Sequence, residues 1–75
     1  MKRYYNTKES AVRIRQLRRN SHITQSVLAE QANISVDTVK RLERGYAGSV
    51  EILLAIADIY GVSLDYLVAG EEAVR

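Results

Sequence analysis

Residues 24–45, which read TQSVLAEQANISVDTVKRLERG, constrain the fold more than any other stretch of the chain. Thr24 can cap the free backbone N–H groups at the start of a helix. The apolar residues that follow recur at helical spacing: Leu28, Ala29 and Ala32. Asn33 stands where a tight turn needs a positive φ, which asparagine tolerates best after glycine. Ser35 can cap a second helix, and Gly45 can end it in the left-handed conformation. The stretch therefore predicts two short helices joined by a tight turn.

The second of these helices has one face for the core and one for solvent. Val39 and Leu42 fall on the inward face. The residues on the opposite face are Val36, Asp37, Lys40 and Arg41. Two helices joined in this way form a helix-turn-helix, in which the second helix enters the major groove of duplex DNA. The outward face is therefore predicted to contact bases.

The charged residues are unevenly divided along the chain. Residues 1–46 contain ten of the eleven lysines and arginines and four acids, a net charge of +6. Residues 47–75 contain one arginine and five acids, a net charge of −4. Such a split is expected if one side of the molecule meets phosphate and the other does not.

Composition excludes several other classes of protein. Seventy-five residues make one small domain, and the chain has no cysteine for a disulfide or a thiolate metal site. No stretch approaches the roughly 20 apolar residues of a membrane span, so we expect no membrane association and a cytoplasmic location. With one histidine and no glycine-rich phosphate loop, the sequence contains no catalytic constellation. We therefore expect no enzyme activity, no metal and no cofactor.

The remaining segments complete an all-α chain of five helices. Asn6 and Glu9 have the spacing of a capping box for a first helix that runs to about Asn20 and buries Ala11, Ile14 and Leu17. Ser49 is a cap for a strongly apolar fourth helix that ends at Gly61, and a short fifth helix lies between Ser63 and Gly70. The apolar residues of the fourth helix are Ile52, Leu53, Ile56, Ala57, Ile59 and Tyr60, and those of the fifth helix expected to face inward are Leu64, Leu67 and Val68. Residues 1–6 are expected to form a flexible basic arm, residues 7–70 the domain, and residues 71–75 a disordered tail.

Three segments together carry a resemblance to a known family. They read RIRQLRR, TQSVLAEQANISVDTVKRLERG and SVEILLAIADIYGVSLDYLVAG, and they cover about residues 10–70. In their motifs and separations they resemble the XRE family of Cro and lambda-repressor-like helix-turn-helix domains. The resemblance implies a compact five-helix lambda-repressor-like fold with the helix-turn-helix at helices 2 and 3.

The resemblance also implies roles for individual residues. Val36, Asp37, Lys40 and Arg41 match base-reading positions, and Gln25 matches a glutamine that contacts the phosphate backbone and braces the recognition helix. Thr38 and Arg44 are expected to contact phosphate. Arg18 and Glu43 match a largely buried ion pair between helices 1 and 3, for which we expect an architectural role.

The sequence departs from the family pattern at two turns. His22 and Asn33 stand where the family usually has glycine, and histidine is strained in a left-handed cap. A lone histidine can also serve as a pH sensor or a metal ligand. Without a cysteine or a second histidine, we favour a loop residue near DNA. Lys2, Arg3, Tyr4 and Tyr5 form either a frayed start or, as the less favoured alternative, a basic arm that reaches DNA.

Two functions remain compatible with these features. The first is a sequence-specific transcriptional regulator, expected to be a repressor that binds a two-fold operator in double-stranded DNA as a homodimer. Its dimer surface would be the carboxyl-terminal helices, where the apolar residues exceed what a small core can absorb. These residues are Val50, Leu54, Tyr60, Tyr66, Val68 and Val74. The alternative is an antitoxin-like module that binds a protein partner, with DNA binding secondary.

Overall fold

A computed structural model describes residues 4–70 and confirms an all-α architecture for this part of the chain. The five helices are α1 (Thr7–Asn20), α2 (Gln25–Ala32), α3 (Val36–Glu43), α4 (Val50–Tyr60) and α5 (Leu64–Ala69). No strand occurs between residues 4 and 70. The termini at 1–3 and 71–75, where part of the expected arm and the whole expected tail fall, lie outside the described residues.

Each helix begins with a polar side chain that accepts a hydrogen bond from a backbone N–H three residues later. The five caps are Asn6, Thr24, Ser35, Ser49 and Ser63. A cap of this kind contributes roughly 1 kcal/mol relative to alanine. Left-handed residues follow three of the helices, with φ of 59° at Asn33, 65° at Gly61 and 77° at Gly70. Local sequence signals therefore determine both ends of most helices.

The start of α1 differs from a closed capping box. The Asn6 side chain accepts from the Glu9 N–H at 3.0 Å, but the Asn6 N–H donates to the carbonyl of Val68 at 3.1 Å. The Glu9 carboxylate lies 3.7 Å from Arg13. Tyr5, which packs against the core, accepts a hydrogen bond at its hydroxyl from the Gly48 N–H at 3.0 Å. Residues just before α1 are thus attached to α5 and to the loop between α3 and α4.

A single apolar core joins all five helices. Its buried members are Ile14, Leu28, Ala29, Ala32, Val39, Leu42, Leu53, Ile56, Ala57 and Leu67. Several apolar residues of these helices are half-buried and pack around this core: Leu17, Ile52, Ile59, Tyr60, Leu64 and Val68. The helix-turn-helix packs closely, and α3 also lies against α1. The core therefore holds the inner side of α3 and leaves its other side exposed.

Among the apolar residues expected to form a dimer surface, the most exposed ones in residues 4–70 lie on α4. Val50 and Leu54 are 62% and 43% exposed and lie four residues apart on that helix. Tyr60 and Val68 instead pack against the core, and Tyr66 is half-buried with Arg13 above its ring at 5.9 Å. Val74 lies outside the described residues. The candidate dimer surface within residues 4–70 is therefore narrower than the sequence suggested. None of the helices described here has the length and apolar character to cross a membrane.

Candidate nucleic-acid interface

Helix α3 presents opposite faces to the core and to solvent. Val39, Leu42 and Glu43 are buried, because they lie on the side that packs against α1 and α2. The exposed side carries all four residues expected to read bases: Val36, Asp37, Lys40 and Arg41. The structure therefore brings these four side chains together on one accessible helix face.

The first turn of α3 is tied to its cap. Ser35 Oγ accepts from the Thr38 N–H at 3.1 Å and lies 2.8 Å from Thr38 Oγ1. The Thr38 hydroxyl is half-buried and already has one hydrogen-bond partner. A hydroxyl group has one donor and two acceptor sites, so Thr38 retains capacity for a second contact. The Thr38 hydroxyl is therefore able to form a second hydrogen bond with a DNA phosphate.

A buried ion pair fixes the other end of α3 to α1. Arg18 Nε donates to Glu43 Oε2 at 2.6 Å, and Arg18 Nη2 donates to Glu43 Oε1 at 3.0 Å. Arg18 Nη1 donates to the Ile23 carbonyl at 3.0 Å. Glu43 is only 5% exposed, so its charge depends on these partners rather than on water. The paired guanidinium and carboxylate thus connect α1, the α1–α2 loop and α3.

Gln25, the first residue of α2, belongs to the same network. Its Nε2 donates to Glu43 Oε1 at 3.1 Å. The amide is half-buried and braces the end of α3 directly. Its oxygen is an acceptor, while phosphate needs a donor, so a phosphate contact would use the second N–H of Nε2.

A basic cleft adjoins this network. Its volume is about 420 Å³, and it is lined by Arg15, Arg18, Arg19, Gln25, Lys40, Glu43 and Arg44. Since Glu43 is the only acid among these residues, the cleft is strongly positive. Such a surface attracts phosphate groups. Lys40 and Arg44 reach it from α3 and its C-cap, so the cleft is continuous with the exposed face of α3.

Arg15 and Arg19 line this cleft but were not predicted as site residues from the sequence. Arg15 Nη1 donates to the Glu43 carbonyl at 2.9 Å and satisfies a backbone acceptor at the end of α3. Arg15 and Arg19 are four residues apart, which places them on one face of α1. That spacing was the available signal, but it does not indicate which neighbouring helix the face meets.

Tyr46 is a second residue that the sequence analysis missed. The guanidinium carbon of Arg41 lies 4.6 Å from the centroid of the Tyr46 ring. Tyr46 follows Gly45, whose φ of 103° turns the chain back, and its N–H donates to the Arg41 carbonyl at 3.1 Å. The only sequence signal was an aromatic residue directly after the glycine that ends the recognition helix.

Comparison with known proteins identifies this arrangement. Residues 14–67 match the family described as helix-turn-helix. The chain belongs to this helix-turn-helix family. The match covers more than half of the sequence and includes α2, α3 and the buried pair that joins α1 to α3. The expected XRE-type family is thereby confirmed. No curated protein sequence matches the chain significantly.

Solved helix-turn-helix structures support the same conclusion. A crystal structure of the P22 c2 repressor, in complex with synthetic operator 9T in the presence of Tl⁺, is 30% identical with a TM-score of 0.79. That match covers 83% of this chain and 96% of that one. The NMR structure of the DNA-binding domain of the P22 c2 repressor (1–76) is also 30% identical, with a TM-score of 0.76 and 91% coverage of each chain. The fold is thus that of a repressor-like DNA-binding domain used in transcription regulation.

Within this helix-turn-helix, two pKa values are displaced around the buried pair. The hydrogen bond to Glu43 raises the pKa of Arg18 further, so its guanidinium stays charged. Burial raises the pKa of the Tyr60 phenol above its ordinary value, and the positive charge of Arg18 opposes part of that rise. Arg18 therefore stays charged and Tyr60 stays neutral near neutral pH.

His22 occupies the turn between α1 and α2, before the helix-turn-helix, in a left-handed conformation. Its φ is 61°, and its side chain is exposed. Residues 4–70 contain no group of three or more histidine, aspartate or glutamate side chains close enough to hold a metal ion. In the sequence, His22 lies four residues after Arg18 and three after Arg19, both of which line the basic cleft.

Proposed function

We propose that this protein is a sequence-specific transcriptional repressor that binds double-stranded DNA through the major groove. The observation that carries the proposal is the exposed face of α3, where four side chains able to contact base edges lie beside a positive cleft. A structurally similar protein, the P22 c2 repressor, has been crystallised with a synthetic operator. Occupation of an operator by this protein would exclude polymerase from the same stretch of DNA.

The base-reading roles follow from the chemistry of each side chain. Val36 suits a thymine methyl group, and Asp37 suits the amino group of cytosine. Lys40 and Arg41 suit the N7 and O6 acceptors of guanine, and Arg41 can bond to both at once. Among residues 4–70, no ion pair or hydrogen bond engages the side chain of either cation. Their donors are therefore available to DNA.

Phosphate contacts would orient the helix without reading sequence. Gln25 and Thr38 lie at the starts of α2 and α3, and Arg44 lies at the end of α3. Backbone contacts of this kind set the register of a recognition helix in the groove. Arg15 and Arg19 extend the positive surface on the α1 side of the cleft.

A homodimer would supply the affinity that one short helix cannot. Two copies on a two-fold operator would place their α3 helices about 34 Å apart, roughly one turn of DNA. The exposed pair Val50 and Leu54 on α4 supports a contact between copies, because both side chains are apolar and lie on one face. This refines the dimer surface expected at the carboxyl-terminal helices.

Selection from a random duplex pool, followed by salt titration of the best site, tests the proposal. We expect a two-fold symmetric site whose affinity falls steeply as salt rises. Arg41→Ala should relax selection at one base pair at a cost of about 1–3 kcal/mol, whereas Arg44→Ala should weaken all sequences similarly and reduce the salt slope by about one. Weak, unselective retention would contradict the proposal and favour the antitoxin-like protein-binding alternative.

A further inference from the structure

We infer that Tyr46 is a positioning residue that orders Arg41 for base recognition by stacking on its guanidinium group. The inference rests on the proposed function, since it assigns a specificity role to a residue next to the proposed base-reading face. It starts from two contacts: the 4.6 Å approach of the guanidinium to the ring and the 3.1 Å hydrogen bond between the two backbones.

Gly45 makes this arrangement possible. Its φ of 103° lies in the left-handed region, which an L side chain adopts only with strain. A Cβ at Gly45 would meet Lys8 at an ordinary 3.5 Å, so conformation rather than space requires glycine. The reversal at Gly45 carries Tyr46 back along the last turn of α3, where Arg41 lies. The backbone hydrogen bond then fixes the base of the tyrosine side chain.

Stacking leaves the donors of Arg41 free. A guanidinium group stacks through its flat face, while its N–H groups point outward in the plane. Recognition of guanine uses those in-plane donors, so one arginine can stack on Tyr46 and bond to O6 and N7 together. Arg18 provides the contrast within this molecule, because Glu43 and Ile23 occupy its fork of donors. An acidic partner in place of Tyr46 would accept from these donors and would therefore compete with the base.

The contact with Tyr46 restricts the conformations of the Arg41 side chain before DNA binds. An exposed arginine loses considerable rotamer freedom when it is fixed on a base. Tyr46 is 52% exposed, so the stacking occurs at the surface, where such contacts are modest. We expect an effect of roughly two- to fivefold on affinity for the selected site. Lys40 has no aromatic partner among residues 4–70, so Tyr46 acts on one member of the face.

Affinity for the selected operator and for random DNA, measured in four variants, tests the inference. Tyr46→Leu removes the ring and should weaken operator binding roughly two- to fivefold while leaving random DNA nearly unchanged. Tyr46→Phe keeps the ring and should bind as the wild type does. In an Arg41→Ala background, Tyr46→Leu should have no further effect, because there is no guanidinium left to position. An equal loss in that background would overturn the inference and assign Tyr46 a contact of its own.

NMR of the free protein gives a readout that does not depend on DNA. The side-chain protons of Arg41 should be shifted upfield by the Tyr46 ring in the wild type and in Tyr46→Phe, and the shift should vanish in Tyr46→Leu. An absent shift in the wild type would overturn the stacking itself. If the pool yields no selected site, the proposed function and this inference both fail. If a site is selected but Tyr46→Leu binds it normally, the inference alone fails.

Discussion

Glu43 joins three helices through one residue. Its carboxylate accepts from Arg18 of α1 and Gln25 of α2, and its carbonyl accepts from Arg15. Arg18 and Gln25 would each lose a partner if the carboxylate were removed, and Arg18 would keep a largely buried positive charge. Compared with apolar residues of similar size, such a pair often contributes little to the free energy of unfolding. Its main role here is to fix the positions of α1, α2 and α3 relative to one another.

Glu43→Ala should destabilise the fold by about 3–5 kcal/mol, because it leaves the Arg18 charge without its counter-ion. For a domain of this size the thermal midpoint should fall by well over 10 °C, at roughly 4–8 °C per kcal/mol. Thermal unfolding followed by circular dichroism measures this. Glu30→Ala, at an exposed glutamate of α2, is the matched control and should change little. A variant with normal stability but lost DNA binding would show that Glu43 acts on DNA and not on the fold.

We expect Tyr60 to make the folding free energy sensitive to alkaline pH. Burial raises the pKa of its phenol in the folded state above the unfolded value of about 10. The neutral phenol therefore favours the folded state fully below that value, and this contribution is lost as pH rises through the folded-state pKa. Tyr60→Phe should show a smaller loss of stability above pH ~10 than the wild type. Urea unfolding across that range measures it, with Tyr4→Phe as the exposed control. Identical alkaline profiles would contradict this role.

At the scale of elements, most boundaries were predictable from local signals. Caps such as Ser35 and Ser49 act on backbone groups three residues away, so their spacing suffices to locate a helix start. The positive φ of Asn33 and Gly61 likewise follows from residue type. The outward face of α3 was predictable because a helix repeats at a fixed angle and its buried side is apolar.

Contacts between elements were less accessible from the sequence. The Tyr5 hydroxyl meets the Gly48 backbone across 43 residues, and Arg15 meets the Glu43 carbonyl across 28. Neither partner carries a local pattern, because the contacts exist only once the helices have packed. The capping box expected at the start of α1 is also incomplete, because the Asn6 N–H donates to a carbonyl of α5 and not to the Glu9 side chain. The Arg18–Glu43 pair was named in advance only through the family resemblance.

The turn between α1 and α2 carries strain that a single substitution should relieve. His22 has a φ of 61° and an exposed side chain, so its conformation brings no compensating burial. His22→Gly should raise stability by about 1 kcal/mol, or roughly 4–8 °C in the thermal midpoint. His22→Ala keeps a Cβ in the same conformation and should give no gain. Equal midpoints for the glycine and alanine variants would show that the turn is not strained.

At the scale of the whole molecule, charge and apolar surface are separated along the fold. Helices α1 to α3 lie within the segment of net charge +6, and α4 and α5 lie within the segment of net charge −4. The exposed apolar pair Val50 and Leu54 belongs to the second segment. This separation agrees with the proposal that one part of the molecule contacts DNA phosphate and another contacts a second copy of the chain.

Leu54→Glu should prevent dimerisation, because it places a charge in the apolar contact proposed on α4. Binding to an operator with two half-sites should lose its cooperativity, while binding to one half-site should be unchanged. Sedimentation equilibrium and gel-shift titrations measure the two effects. Val12→Glu, at a 44% exposed valine of α1, controls for an added surface charge. Persistence of dimers in Leu54→Glu would place the interface elsewhere.

The division of α3 into a buried and an exposed side has a consequence for engineering. Val39, Leu42 and Glu43 hold the helix in the fold, while Val36, Asp37 and Lys40 are exposed, Val36 to 37%. If α3 reads bases as proposed, substitutions on its exposed side should exchange preference for one operator for another with little effect on the folding free energy. A single scaffold of this kind can supply a set of regulators that share one architecture and ignore one another's sites.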